Sequence, residues 1–262
     1  MSRTRVISLT NNKGGVGKTT STLNIGVGLA NRGRRVLLID LDPQASLTIS
    51  IGINPNAHLE ASIVQVLTKK RDIKECILKL DNVYIIPSNS LLNDAEPLIS
   101  AKPYKETILK KALDPIKDVF DYILIDCPPS LNTLTNNGLG ASNEVFIPIE
   151  AEYLALQGTS QLVEKVNEIK EGNANLKITG VFLTKYDARK NLNKQVKEVL
   201  ENTFKGEVFN TNINTNVALA EAPSHQKDIF SYEPTSSGAK DYASLVEEII
   251  RQEGAFNETE TL

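Results

Sequence analysis

Short apolar runs alternate with longer stretches of helical periodicity along the whole chain. The runs Val6–Leu9, Val36–Ile39, Val83–Ile86, Tyr122–Ile125, Val145–Ile149 and Ile178–Leu183 are nearly continuous in apolar character. Strands read this way when both faces of their sheet are covered, as in a parallel sheet. Between them the spacing predicts helices over about 18–32, 60–70, 104–119, 132–142, 156–171, 191–204 and 237–252. Gly33 is placed to end the first of these, because glycine tolerates the left-handed cap position. Alternating strand and helix predicts right-handed crossovers and a doubly wound α/β fold, a mostly parallel sheet with helices on both faces. No repeat and no Pro/Gly/Ser-rich linker interrupts the pattern. The expectation is one domain over residues 1–254, followed by a short, frayed acidic tail over 255–262.

Composition narrows the class. A chain of 262 residues, 40% hydrophobic and 23% charged, is an ordinary globular protein with enough core to need no disulfide or structural metal. No apolar run approaches the roughly 20 residues that span a bilayer, and Val6–Leu9 is too short for a signal-peptide core. The expected location is the cytoplasm. Cys76 and Cys127 fit neither a disulfide framework nor a C-x-x-C metal spacing. A net charge of −3 argues against a dedicated nucleic-acid binder, while leaving room for a local basic face.

The candidate chemistry begins where the first strand runs into Asn11-Asn12-Lys13-Gly14-Gly15-Val16-Gly17-Lys18-Thr19-Thr20 and then a helix. In that context backbone N–H groups converge on a phosphate at the positive end of the helix. Lys18 supplies charge to the β/γ-phosphates, and the Thr19 hydroxyl is a ligand for Mg²⁺. Two strands end in acids, at Asp40-Leu41-Asp42-Pro43 and Asp126-Cys127-Pro128-Pro129. Open α/β sheets bind ligands outside the carboxyl ends of their strands, so both acidic ends belong beside the phosphate loop. An aspartate at a strand end is more commonly a turn former. Two of them beside a phosphate loop point to Mg²⁺ or an attacking water. A third strand ends in Thr184-Lys185-Tyr186-Asp187, the [NT]-K-x-D pattern of GTPases. The Asp187 carboxylate suits guanine or the adenine amino group, and the tetrapeptide alone does not choose between them.

Asn12 stands where the common loop has its first glycine, and a second lysine, Lys13, gives K-G-G-V-G-K-T-T. The chain thereby resembles the deviant Walker A P-loop ATPases of the ParA/MinD family, nearest to small Soj-like ParA partition proteins. The resemblance implies that Lys13 reaches across a nucleotide-sandwich dimer to the partner's phosphates. D-L-D-P-Q-A is similar to the family's switch I and I-L-I-D-C-P-P-S to its Walker B and switch II. These matches imply catalytic roles for Lys13, Lys18 and Asp42, and Mg²⁺ held by Thr19, Asp42 and Asp126. Arg189 in T-K-Y-D-A-R tips the base towards adenine, with a second base contact at Asn214. The likeness also takes in Leu154–Gly158, Leu219–Ser224 and Ser237–Tyr242. It implies ATP and Mg²⁺ as cofactors, a homodimer on ATP binding, a ParB-type partner that stimulates slow hydrolysis, and non-specific DNA as the matrix. Plasmid or chromosome cargo and association with the nucleoid follow from the same likeness.

The sequence departs from the family where DNA is contacted. Ala218 stands where many relatives carry an arginine, and Ser224-His225-Gln226-Lys227-Asp228 replaces their S-[FH]-G-K-P. From Ile213 to Gln252 there are three basic residues against six acidic ones, a surface that repels phosphate. Lys185, Arg189, Lys190, Lys194 and Lys197 form the better candidate DNA face, although a solvated helix face carries similar charge. Competing readings are an ATP switch that positions a protein cargo without DNA, a GTPase, and a small-molecule ligase on the same fold. A MinD-like membrane ATPase would need a basic amphipathic C-terminal helix, and the end of this chain is acidic. Iron–sulfur carriers would need clustered cysteines, and a tyrosine kinase of this fold a tyrosine-rich tail.

Overall fold

The computed structural model describes residues 4–152 and 155–258, with the backbone alone at 155–158, 255, 257 and 258. Among them seven strands form one sheet in the order β3-β4-β2-β5-β1-β6-β7. The strands are β1 (Arg5–Leu9), β2 (Val36–Asp40), β3 (Leu78–Lys79), β4 (Tyr84–Ile86), β5 (Tyr122–Asp126), β6 (Glu144–Glu150) and β7 (Lys177–Thr184). Every neighbouring pair is parallel except β3 with β4. All six expected strands are present. The two-residue edge strand β3 is too short to leave a pattern.

β1, β2 and β5 are buried at every position, as expected for strands covered on both faces. Side-chain alternation divides β2 between two cores. Leu38 packs with Leu23, Val27, Leu245 and Val246, under the helices Lys18–Ala30 and Ser237–Arg251. Leu37 and Ile39 face the other way, onto Ile63, Leu92 and Leu109. A third cluster joins β6 and β7 to the helices Ala155–Gly172 and Asn191–Thr203 through Ile147, Leu183, Leu162 and Leu200. Truncating a leucine such as Leu38 in a core of this kind costs about 2–5 kcal/mol.

Three stretches differ from expectation. The helix expected over 104–119 is broken into a 3₁₀ turn at Lys105–Thr107, an α-helix at Ile108–Leu113 and a second 3₁₀ turn at Lys117–Val119. Pro115 has no N–H to continue the ladder. A helix at Leu91–Ser100 was not anticipated, because it carries Pro97 in its interior. The tail expected to fray after Gly254 continues instead as a helical segment, Glu253–Glu258. Arg34 forks onto both Glu253 oxygens at 2.9 Å, the Tyr122 hydroxyl donates to the same carboxylate at 2.6 Å, and Arg5 lies over the Phe256 ring. Leu154, within one of the family-like stretches, and residues 259–262 lie outside the described residues.

Candidate nucleotide site

The loop after β1 is shaped by two glycines in left-handed backbone, Gly15 at φ 72° and Gly17 at φ 89°. A side chain at either would be strained. Gly17 caps the helix Lys18–Ala30 without a side chain, so the first N–H groups of that helix are left for an external acceptor. Two side chains fix the loop to the sheet. Asn11 donates to the Pro148 carbonyl at 2.9 Å and accepts the Lys13 N–H at 3.0 Å, and the Thr184 hydroxyl donates to the Val16 carbonyl at 2.9 Å. The buried Lys18 ammonium folds back over the loop onto the Lys13 carbonyl at 2.9 Å. Burial pulls its pKa below the ordinary lysine value, against the attraction of Asp126 and Asp42.

The acidic strand ends converge on the same place. Asp40 and Asp126 are register partners on β2 and β5. Thr19 donates to Asp126 Oδ2 at 2.7 Å, and the Asp126 carboxyl is pushed well up by burial and by the neighbouring Asp40. Burial also raises Asp40, to about 6, although hydrogen bonds from Thr48 and Asp42 temper the shift. Asp42 is half-buried, with Oδ1 accepting the Gln44 N–H at 2.9 Å. It shares a cavity of about 580 Å³ with Gly14, Gly15, Gly17, Lys18, Thr19 and Thr20. A threonine hydroxyl against a buried carboxylate that is costly to ionise alone is an oxygen donor set suited to a hard divalent cation. Among the described residues no three His, Cys, Asp or Glu side chains cluster as a metal cage. Mg²⁺ ordinarily takes one or two carboxylates and completes its shell with phosphate oxygens and water.

An AAA domain family matches residues 4–178. The sporulation initiation inhibitor protein Soj of Bacillus subtilis is 44% identical over 248 residues, covering 94% of this chain and 98% of the relative. The chromosome-partitioning ATPase Soj of Treponema pallidum is 40% identical over 253 residues, covering 95% and 98%. The chain belongs to the Soj/ParA family of partition ATPases. Its fold also matches a solved cobyrinic acid a,c-diamide synthase from Mycobacterium smegmatis with bound ADP and magnesium. That match has a TM-score of 0.85 at 32% identity, covering 97% of this chain and 96% of the other.

Around the phosphate loop of this Soj/ParA-family chain, the residues singled out for the base lie on neighbouring segments. Tyr186 N–H donates to the Ile213 carbonyl at 3.0 Å, and Thr215 N–H returns to the Tyr186 carbonyl at 3.1 Å. Asn214 donates both its backbone N–H and its side-chain amide to Asp241 Oδ2, at 2.8 and 2.9 Å. The Asp187 carboxylate is chelated by Arg189 at 2.9 Å on each oxygen, which holds it down at about 2.

The five basic residues expected to face DNA divide in two. Lys185 pairs with Glu150 at 2.9 Å, Arg189 with Asp187, and Lys197 lies 4.0 Å from Glu201. Lys190 and Lys194 have no ion pair among the described residues. Sequence reasoning also missed Asn11, the Asp40–Thr48 contact, and two carboxylates that hold Lys13, Glu150 and Glu152. Glu150 ends a strand, as Asp40 and Asp126 do, and that placement was the available signal. Among the described residues no helix is long and apolar enough to cross a membrane.

Proposed function

We propose that the chain is a Mg²⁺-dependent ATPase that works as a dimerising switch in DNA partition. The observation that carries this reading is the division between the two lysines of one glycine loop. Lys18 lies over the loop itself, whereas the Lys13 ammonium is directed to two carboxylates at and just past the end of β6, where a second subunit could recruit it. The reading is supported by relatives named as a chromosome-partitioning ATPase and a chromosome partitioning protein, each covered over most of its length.

Bound Mg²⁺ would supply positive charge against the negative charge that develops during phosphoryl transfer. Thr19 and Asp126 would hold it, with Asp42 nearby. Lys18 exchanges the Lys13 carbonyl for the β/γ-phosphates. Asp42 orients the attacking water and couples loss of the γ-phosphate to the segment that follows it. Lys13 of each subunit serves the phosphates of the other, adding its charge only once the dimer closes, as an arginine finger does. Adenine is favoured over guanine because Asp187 is already occupied by Arg189. Asn214, with its amide N–H on Asp241, keeps its side-chain oxygen as an acceptor for the adenine amino group.

The ATP dimer uses non-specific DNA as its matrix and a ParB-type protein as its activator, in the cytoplasm and on the nucleoid. Lys190 and Lys194 carry the DNA contact, weak in one subunit and strengthened by pairing two. A second reading, a switch that positions a protein cargo without DNA, is favoured by Ala218 and by the internal pairing of Lys185, Arg189 and Lys197. The deciding experiment is retention of non-specific duplex DNA by the Asp42→Ala protein with ATP, GTP, ADP or no nucleotide, at two salt concentrations. Retention with ATP alone, weakened by salt, supports partition. An ATP dimer that ignores DNA transfers the matrix to a protein. Absence of any ATP dimer returns the fold to a monomeric enzyme such as a ligase.

A further inference from the structure

Lys13 is held twice within its own subunit. Its ammonium donates to Glu150 Oε2 at 2.9 Å and to Glu152 Oε2 at 2.7 Å. The two acids differ in setting. Glu150 ends β6 in register with Thr184 of β7, and its side chain is 13% exposed, whereas that of Glu152 is 57% exposed. The other Glu150 oxygen accepts from Lys185 at 2.9 Å. Burial alone would raise the Glu150 carboxyl, but Lys185 and Lys13 outweigh it and hold it below the ordinary glutamate value. Glu152 and Glu150 in turn raise Lys13 above the ordinary lysine value.

A triphosphate approaching from a second subunit therefore meets one ammonium accompanied by two carboxylates. To serve that triphosphate, Lys13 has to leave both of them. Leaving the exposed Glu152 costs little, because a solvated ion pair is weak. Leaving Glu150 would strand a mostly buried carboxylate, and removing one partner of a buried pair is strongly unfavourable. Lys185 removes that obstacle, since it remains on Oε1 after Lys13 has gone.

We infer that Glu150 and Glu152 are positioning residues for Lys13. They hold it in cis in the free subunit, and an ATP-loaded partner draws it off them, so the two acids set the threshold for dimerisation. Lys185 is the counter-cation that keeps Glu150 paired after release. The inference rests on Lys13 acting in trans, so the test separates the two claims.

The test follows dimerisation of the full-length chain against protein concentration, by sedimentation velocity with a non-hydrolysable ATP analogue. Monomer affinity is read in parallel with a fluorescent ATP analogue. Glu152→Gln should lower the dimerisation midpoint roughly two- to five-fold while monomer affinity stays unchanged. Glu152→Asp should return the midpoint towards the parent, and Glu150→Gln should lower it as well. In a Lys13→Ala background Glu152→Gln should have no effect, because the group it restrains is gone. A Glu152→Gln midpoint that is unchanged or raised, with Lys13→Ala still weakening the dimer, overturns the latch and leaves the trans role standing. Lys13→Ala that dimerises like the parent overturns both.

Discussion

The Asp40 carboxylate accepts the backbone N–H of Asp42 at 3.1 Å, so one acid of Asp40-Leu41-Asp42 holds the other in place. Its second oxygen takes the N–H and the hydroxyl of Thr48, and the Thr48 hydroxyl accepts the Ser88 N–H at 2.9 Å. Asp40 is fully buried and Asp42 borders the cavity. Two carboxylates with the same chemistry are given different settings: Asp40 clamps the segment, and Asp42 faces the cavity.

Substitution at the two positions should therefore separate stability from turnover. Asp40→Ala leaves the Thr48 and Asp42 N–H groups without an acceptor, at about 1–3 kcal/mol for each unsatisfied group. Thermal unfolding should show a clear fall in Tm. Asp42→Ala gives up only the hydrogen bond from the Gln44 N–H, so its Tm should stay near the parent. That protein should bind ATP and accumulate as a dimer in sizing experiments. A monomeric Asp42→Ala protein that hydrolyses ATP as fast as the parent would remove Asp42 from the mechanism.

The two lysines should fail differently. Lys18→Ala removes the ammonium proposed to reach the loop's own phosphates, so equilibrium binding should show loss of nucleotide affinity or of dimerisation. Lys13→Ala should bind ATP as a monomer with near-parent affinity and turn over poorly. Comparing nucleotide binding with steady-state hydrolysis for both variants distinguishes the cis role from the trans role.

Much of this site was legible because glycine loops and strand-terminal acids are local signals. Gly14 to Thr20 occupy the predicted strand–loop–helix junction, and the ends of β2 and β5 bring Asp40 and Asp126 into register. What could not be read was long-range. Glu150 and Glu152 lie about as far along the chain from Lys13 as half its length, and only the β1–β6 pairing brings them together. The helix Leu91–Ser100 was hidden by Pro97, whose local preference is overridden by burial of Leu92, Ala95 and Ile99. The basic run Lys185–Lys197 looked uniform in sequence. Of the partners that divide it, Asp187 and Glu201 stand only two and four residues from Arg189 and Lys197, whereas Glu150 became visible only in three dimensions.

That division gives a prediction for DNA. Charge reversal at Lys190 and Lys194, which have no ion pair among the described residues, should weaken ATP-dependent DNA retention. It should also flatten the salt dependence by roughly 0.9 in logarithmic slope for each phosphate that is no longer neutralised. Lys197→Glu should change the slope much less, because Lys197 already has Glu201 and the Asn210 carbonyl beside it. Equal slopes for all the variants would place the DNA-binding surface on another face.

The C-terminal segment should respond to pH through Glu253. Burial on its own would raise this carboxyl, but Arg34 and the Tyr122 hydroxyl bring it below the ordinary glutamate value of 4.5. A carboxylate whose folded pKa is depressed binds fewer protons folded than unfolded. Its contribution is thus fully present above pH 4.5 and is lost as the pH falls through the lower folded value. Glu253→Gln should melt below the parent at pH 7, because Arg34 loses its forked acceptor. The gap should close as both proteins are taken down in pH through the depressed folded value, where the parent carboxyl gains its own proton. Taking the difference between the two melting curves cancels the acid sensitivity of the rest of the chain. A gap that stays constant with pH would mean that Glu253 acts by packing the last helix against β5 and not by its charge.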